Sequence, residues 1–300
     1  MPSNNKSNKT IESKSALLLL ENGDIFWGTG IGAKKTAIGE ICFNTSQTGY
    51  QEILTDPSYA DQIINFTFPH IGIVGTNTLD TESSKIYANG CIINQDLGIS
   101  SNWRSTKNLD FFFKKNKIPC ISNIDTRKIT RLLSTKGAMK GLIIHFGRKI
   151  TNLNKYKKLI KDWPGLKNKD LAKKVTTNKI YQFNSSLWNI KKNNYEKTKN
   201  NLNFKHKVIC IDYGIKRNIL RSLNSFNLKV FVLPANSSYK KIKSYNPSGI
   251  FLSNGPGDPF ATSNYTLPVL KKLIKDKIPI FGICLGHQIL SLALGGKTKK

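Results

Sequence analysis

Apolar and polar positions divide the chain into two textures. Ala16 to Leu20 is a continuous apolar run, Asn22-Gly23 interrupts it, and Ile25 to Gly28 resumes it. This predicts strand, tight turn, strand, because Asn-Gly supplies the positive φ angles of a short hairpin. Up to about Gly147, short β-like runs such as Gln62 to Phe68, Gly90 to Ile93 and Gly141 to His145 alternate with Gly, Pro and Asn punctuation. Two helices are predicted among them, Leu109 to Asn116 and Arg127 to Leu133, the second behind Asp125-Thr126 as N-cap. The pattern is that of an α+β domain with a mostly buried sheet.

The second texture begins after Phe204. Strands are predicted at Val208 to Ile211, Lys229 to Leu233, Gly249 to Leu252 and Ile278 to Ile283. Helices are predicted at Lys216 to Leu223, Lys240 to Tyr245, Tyr265 to Lys275 and Leu285 to Leu294. Strict alternation of strand and helix means βαβ units and a parallel, doubly wound sheet, which places its ligands at the carboxyl ends of its strands. The expected organisation is a disordered tail over residues 1–14, an α+β domain over 15–148, a Lys/Asn-rich connecting region with short helices over 149–205, and the α/β domain over 206–300. There is no internal repeat.

Composition agrees with two domains: 300 residues exceed the usual size of one, and 39% hydrophobic residues suffice for two cores. No run approaches the roughly 20 apolar residues of a membrane span, so no membrane association is expected. Five cysteines without a CxxC pair argue for reduced thiols and a cytoplasmic location rather than a disulfide framework or a zinc site. The formal net charge of +29 would raise nucleic acid as a partner. However, the basic residues are nearly all lysine, scattered and not interleaved with aromatics, and arginine occurs only at Arg104, Arg127, Arg131, Arg148, Arg217 and Arg221. Arginine makes the bidentate contacts to guanine and phosphate, so no nucleic-acid partner is expected. Lys, Asn and Ile share A/T-rich codons, and a mutational bias of the genome is the expected source of the charge.

Chemistry concentrates in two loops of the second half. Gly282-Ile283-Cys284-Leu285-Gly286 lies between a predicted strand and helix and has the pattern of a nucleophile elbow with cysteine as nucleophile. The N-terminus of the following helix favours the thiolate. Read blandly, Cys284 would be one more core cysteine. Ser253-Asn254-Gly255-Pro256-Gly257-Asp258-Pro259 follows the preceding strand, and its glycines around a proline can present backbone N–H groups to a carboxylate or an oxyanion. The bland alternative is a plain βα turn. Together, at adjacent strand ends, the two loops make an acyl-transfer site.

These loops, with Phe281 to Gln288 taken whole, resemble the class I glutamine amidotransferases. The first half narrows the likeness. Gly39-Glu40-Ile41-Cys42-Phe43-Asn44-Thr45-Ser46, the run from Thr48 to Tyr59, and Asp125-Thr126-Arg127 are similar to the small, glutaminase subunit of carbamoyl-phosphate synthetase. The resemblance covers residues 15–300. It implies glutamine hydrolysis with Cys284 as nucleophile and the N–H groups of Leu285 and Gly257 as oxyanion hole. Gly255, Gly257, Leu285 and Gln288 would hold L-glutamine, with a contact lent by Ser58, which on sequence alone is only a turn residue. Ammonia would pass to a large synthetase subunit that makes carbamoyl phosphate from bicarbonate, for arginine and pyrimidine synthesis. ATP and magnesium would belong to that subunit, and no cofactor to this chain.

One element of the family pattern is absent. The family's base is a histidine with a glutamate two residues on, in a later loop. None of His70, His145, His206 and His287 stands in such a setting, and the sequence ends sixteen residues after Cys284. His287 lies on roughly the same helical face as Cys284, and His70 reads as a structural residue. Three explanations stand open: a fragment of a longer chain, a frameshift at Lys297 to Lys300, or a shortened subunit that binds the large chain without hydrolysing glutamine. An open sheet edge with exposed apolar surface is the expected structural consequence.

Overall fold

A computed structural model describes residues 14–146, 152–197, 204 and 206–298. The tail expected over 1–14, apart from Lys14, and both ends of the connecting region lie outside them.

Among the described residues, seven strands close into a barrel. In chain order they are β1 (Ala16–Leu20), β2 (Ile25–Gly32), β3 (Thr36–Asn44), β4 (Gln62–Phe66), β5 (Gly90–Ile92), β6 (Pro119–Ser122) and β7 (Met139–His145). Around the barrel they run β1-β2-β6-β5-β4-β3-β7. Strands β3, β4, β5 and β6 are parallel neighbours; β7, β1 and β2 complete the wall antiparallel. Leu18, Ile41, Ile63, Ile92, Ile121 and Ile143 come from six strands into one cluster, the barrel interior. The alternate side chains Leu17 and Leu19 pack outside, under helix α4 (Leu153–Asp162). Burial on both faces explains why β1 reads as an unbroken apolar run instead of alternating. Helices α1 (Tyr50–Thr55), α2 (Leu109–Lys115) and α3 (Thr126–Lys136) connect the strands, with Asn108 and Asp125 capping the latter two through their side chains.

The connecting region holds more than the short helices expected of it. After α4 and α5 (Ala172–Val175) come β8 (Tyr181–Phe183) and a hairpin of β9 (Ser185–Asn189) and β10 (Asn194–Lys197). Strand β8 pairs antiparallel with the second sheet as its edge. Three residues are too short for a hydrophobic period, and the region's polar composition hides the hairpin. Cation–π contacts fix the hairpin instead: Arg104 lies 4.2 Å from the Trp188 ring centroid and the buried Arg221 lies 3.6 Å from that of Tyr195.

The second sheet has the order β14-β13-β11-β12-β8. Its strands β11 (His206–Asp212), β12 (Leu228–Pro234), β13 (Gly249–Leu252) and β14 (Ile280–Gly282) are parallel. Ile209, Ile211, Ile250 and Leu252 face one layer, with α7 (Tyr239–Lys243), α8 (Pro259–Lys275) and α9 (Leu285–Ala293). Cys210, Val230, Val232 and Phe251 face the other, with α6 (Arg217–Ser225). This is the doubly wound sheet read from the alternation of elements. Helix α8 begins at Pro259, not Tyr265, because Asp258 accepts the Phe260 N–H and Pro259 occupies the first turn, where its missing N–H costs nothing. At the β14 edge Phe281 is 63% exposed, tilted against Phe251. Strand order reverses between β11 and β13, and a doubly wound sheet opens its ligand crevice at such a switch point.

Candidate active site

Cys284 sits where β14 turns into α9, with φ 52° and ψ −114°. A non-glycine residue at positive φ is held there only when its surroundings over-determine it. Those surroundings are visible: the Ile283 N–H donates to Leu252 O (3.1 Å) and the Gly286 N–H to Ser253 O (3.0 Å), fastening the elbow to the end of β13. A Cβ on Gly286 would lie 2.2 Å from Leu252 O, so only glycine lets helix and strand approach this closely. Cys284 is the N-cap of α9, whose first-turn N–H groups, Leu285 first, have no acceptor within the helix.

Of the five cysteines only Cys284 is exposed. Burial pushes the Cys42 thiol up to about 12 and raises those of Cys120 and Cys210. A thiol held protonated is a poor nucleophile, and Cys91 is fully buried, which leaves Cys284 as the accessible one.

The loop after β13 is stiffened from both sides. Ser253 Oγ accepts the Tyr213 N–H (2.9 Å) and donates to Asn254 O (2.7 Å). Gly257 holds φ +94°, and a Cβ there would meet Lys169 O at 2.7 Å. The connecting region braces this loop: the Asp258 N–H donates to Lys169 O (3.0 Å) and the Asn168 N–H to the Asp258 carboxylate (3.0 Å). Behind it, Asp212 at the end of β11 accepts N–H bonds from Gly214, Ile215 and Thr177; burial raises its pKa, and those three bonds oppose the rise.

The barrel supplies the opposite wall. Asp56 accepts the Ser58 N–H (2.9 Å), forming a 3-10 turn over Pro57–Tyr59, and pairs with Lys216 Nζ of the second domain (3.2 Å). Ser58 Oγ accepts from Asn254 Nδ2 (2.9 Å) across the boundary. Between the walls is a cavity of about 600 Å³.

Five of the six residues expected at the site, Cys284, Gln288, Gly255, Gly257 and Ser58, line this cavity. Leu285 does not: its side chain is buried in the core of the second domain, which leaves only its backbone for the expected role. Lys216, Glu40 and Asp56 also line the cavity and were not singled out from sequence. Each lies outside the two loops and acquires its place only when the barrel meets the sheet. The histidines lie elsewhere. His70 sits exposed on a surface turn with its ring edge-on to Phe68. His145 is buried and bonds through Nδ1 to Ala33 O (3.1 Å), and His206 and His287 are exposed. Among the described residues no helix is long and apolar enough to cross a membrane.

Comparison with known proteins resolves the two halves separately. Residues 18–143 match the family described as carbamoyl-phosphate synthase small chain, CPSase domain, and residues 209–300 match glutamine amidotransferase class-I. The chain is similar to the carbamoyl phosphate synthase small chain of Bartonella quintana, 47% identical over 295 residues, covering 97% of this chain and 73% of that protein. The small chain of Salmonella typhimurium is 49% identical over 288 residues, covering 96% and 74%, and that of Bradyrhizobium diazoefficiens 47% over 290 residues, covering 95% and 72%.

Proposed function

Because the chain belongs to the carbamoyl-phosphate synthase small-chain family and carries a class I glutamine amidotransferase domain, we propose that it hydrolyses glutamine at Cys284. The observation that carries this reading is the exposed cysteine, held at positive φ on a helix N-terminus and opening on a cavity of about 600 Å³. The Cys284 thiolate adds to the carboxamide carbon of glutamine, and the N–H groups of Leu285 and Gly257 receive the charge that develops on its oxygen. Collapse breaks the C–N bond, and the nitrogen leaves as ammonia with the proton that the Cys284 thiol gave up. Water then cleaves the thioester, so that glutamine and water give glutamate and ammonia. Gly255, Gln288 and Ser58 hold the amino-acid end of the substrate.

The ammonia passes to a large synthetase chain that binds ATP and magnesium and forms carbamoyl phosphate from bicarbonate, in the cytoplasm, for arginine and pyrimidine synthesis. The family membership supports this partner, and the unpaired cysteines support the compartment. A second reading, a subunit that binds the large chain without glutaminase activity, draws on the position of the histidines, none of which lines the cavity among the described residues.

The test is glutamate release from glutamine by the full chain, alone and with its large partner, beside intact-mass detection of labelling by a glutamine analogue carrying a diazomethyl ketone. Cys284→Ser is expected to abolish labelling and to cut glutamate release by at least about a thousandfold. Labelling without release in the unsubstituted chain would favour the second reading. Undiminished release from the serine variant would overturn the assignment of Cys284.

A further inference from the structure

Asn254 lies on the second domain, 2% exposed, and every polar atom of its side chain is engaged. Nδ2 donates to Gly214 O (2.9 Å) and to Ser58 Oγ (2.9 Å), while Oδ1 accepts the Lys216 N–H (3.2 Å). The two backbone partners fix the orientation of the amide: Gly214 O can only accept and the Lys216 N–H can only donate, so Nδ2 and Oδ1 cannot be exchanged. This orientation fixes the role of the Ser58 hydroxyl. Its Oγ uses a lone pair on Asn254, and its own hydrogen is left for the cavity that Cys284 also lines. The Ser58 N–H is already bound by Asp56, which holds the turn in place.

We infer that Asn254 is a positioning residue that makes Ser58 a hydrogen-bond donor toward the α-carboxylate of the substrate, so that one domain sets the polarity of a group contributed by the other. The inference rests on the glutamine reading above and adds to it a reason why the site selects a carboxylate over a neutral carboxamide at that end. The substitution that inverts the arrangement is Asn254→Asp. A carboxylate in place of Nδ2 accepts from Ser58, draws its hydrogen away from the cavity and leaves a lone pair facing the ligand.

The experiment measures alkylation of Cys284 in the full chain by two glutamine-like diazomethyl ketones, one with a free α-carboxylate and one with an α-carboxamide. The sulfur displaces N₂ and takes up the methylene carbon, and intact mass gives a half-saturating concentration and a limiting rate. Asn254→Asp is expected to raise half-saturation by the carboxylate reagent roughly 10- to 100-fold, the loss of one hydrogen bond to a charged group, while the limiting rate changes less than about twofold. Preference for carboxylate over carboxamide should collapse or invert. Asn254→Ala, which removes the donor without adding a charge, should move both quantities the same way by a smaller factor. In a Ser58→Ala background Asn254→Ala, which adds no charge, should not add to the loss. Equal weakening of both reagents, or full additivity with Ser58→Ala, would overturn the inference in favour of a merely structural asparagine. If the unsubstituted chain saturates with neither reagent while iodoacetamide labels Cys284, the glutamine reading itself fails, and that is seen before any variant is made.

Discussion

The backbone of Cys284 occupies a conformation that costs an L-residue of order 1–3 kcal/mol, and the packing of Gly286 against the end of β13 is what sustains it. Gly286→Ala tests that dependence. Its Cβ would fall 2.2 Å from a carbonyl oxygen, and backbone rather than a flexible side-chain tip would have to move. The expected loss is about 1–3 kcal/mol in urea unfolding, the usual range for overpacking, together with a slower reaction of Cys284 with iodoacetamide as the elbow relaxes. Gly249→Ala is the control, since the nearest atom to its Cβ is Pro279 O at an ordinary 3.5 Å. Equal losses at the two positions would mean that close approach is not what holds the elbow. This much of the site was legible in the residues, because glycines two positions either side of a cysteine have few other uses at a strand-to-helix turn. The turn at Ser58 was not, since nothing in Asp56-Pro57-Ser58 states which surface it will face.

Helix α6 shows why elements are less legible at their ends than in their middles. Its apolar spacing predicts the helix, yet its N-cap, Lys216, makes no side-chain cap. The cap comes from the loop between β4 and β5, where Glu82 accepts the Asn218 N–H through its carboxylate (2.8 Å) and the Arg217 N–H through its carbonyl (3.0 Å). Thr81 Oγ1 accepts from the Arg217 guanidinium (2.7 Å). Glu82 and Asn218 are 136 residues apart, beyond the reach of any local rule. Glu82→Ala is therefore expected to cost about 1–2 kcal/mol in urea unfolding, the usual price of a lost cap. Glu82→Gln keeps an acceptor, and only the charge at the helix N-terminus is lost, about 0.3–1 kcal/mol. An alanine variant as stable as the parent would mean that water replaces the cap. The same limit explains β8 and the β9–β10 hairpin, whose stability comes from partners on β12, α6 and the barrel loop rather than from their own pattern. The parallel strands β11, β12 and β13 were legible because each is buried on both faces and had to be written as an apolar run.

At the scale of the whole molecule the two domains meet around the cavity. Asp56–Lys216, Ser58–Asn254, Asp61–Lys174 and Glu82–Asn218 all cross the boundary, each joining the barrel to the connecting region or the second sheet. A net charge of +29 opposes such an assembly through self-repulsion, and these ties place carboxylates of the barrel against lysines of the rest. Because both walls supply ligand contacts in the proposed site, substrate should bind the pair and neither half alone. Cys284→Ser, unable to turn glutamine over, allows this to be measured at equilibrium. With glutamine at a hundred times its dissociation constant, linkage predicts a gain of about 2.7 kcal/mol in unfolding free energy. Amide hydrogen exchange should slow on both sides, at Ser58 and Tyr59 of the barrel turn and along Ser253–Gly257 of the sheet loop. Slowing confined to the sheet loop would remove the barrel from the site and reduce Ser58 to a structural neighbour of Asn254. Slowing on both sides that becomes one-sided in a Ser58→Ala background would identify that hydroxyl as the link through which the ligand couples the domains.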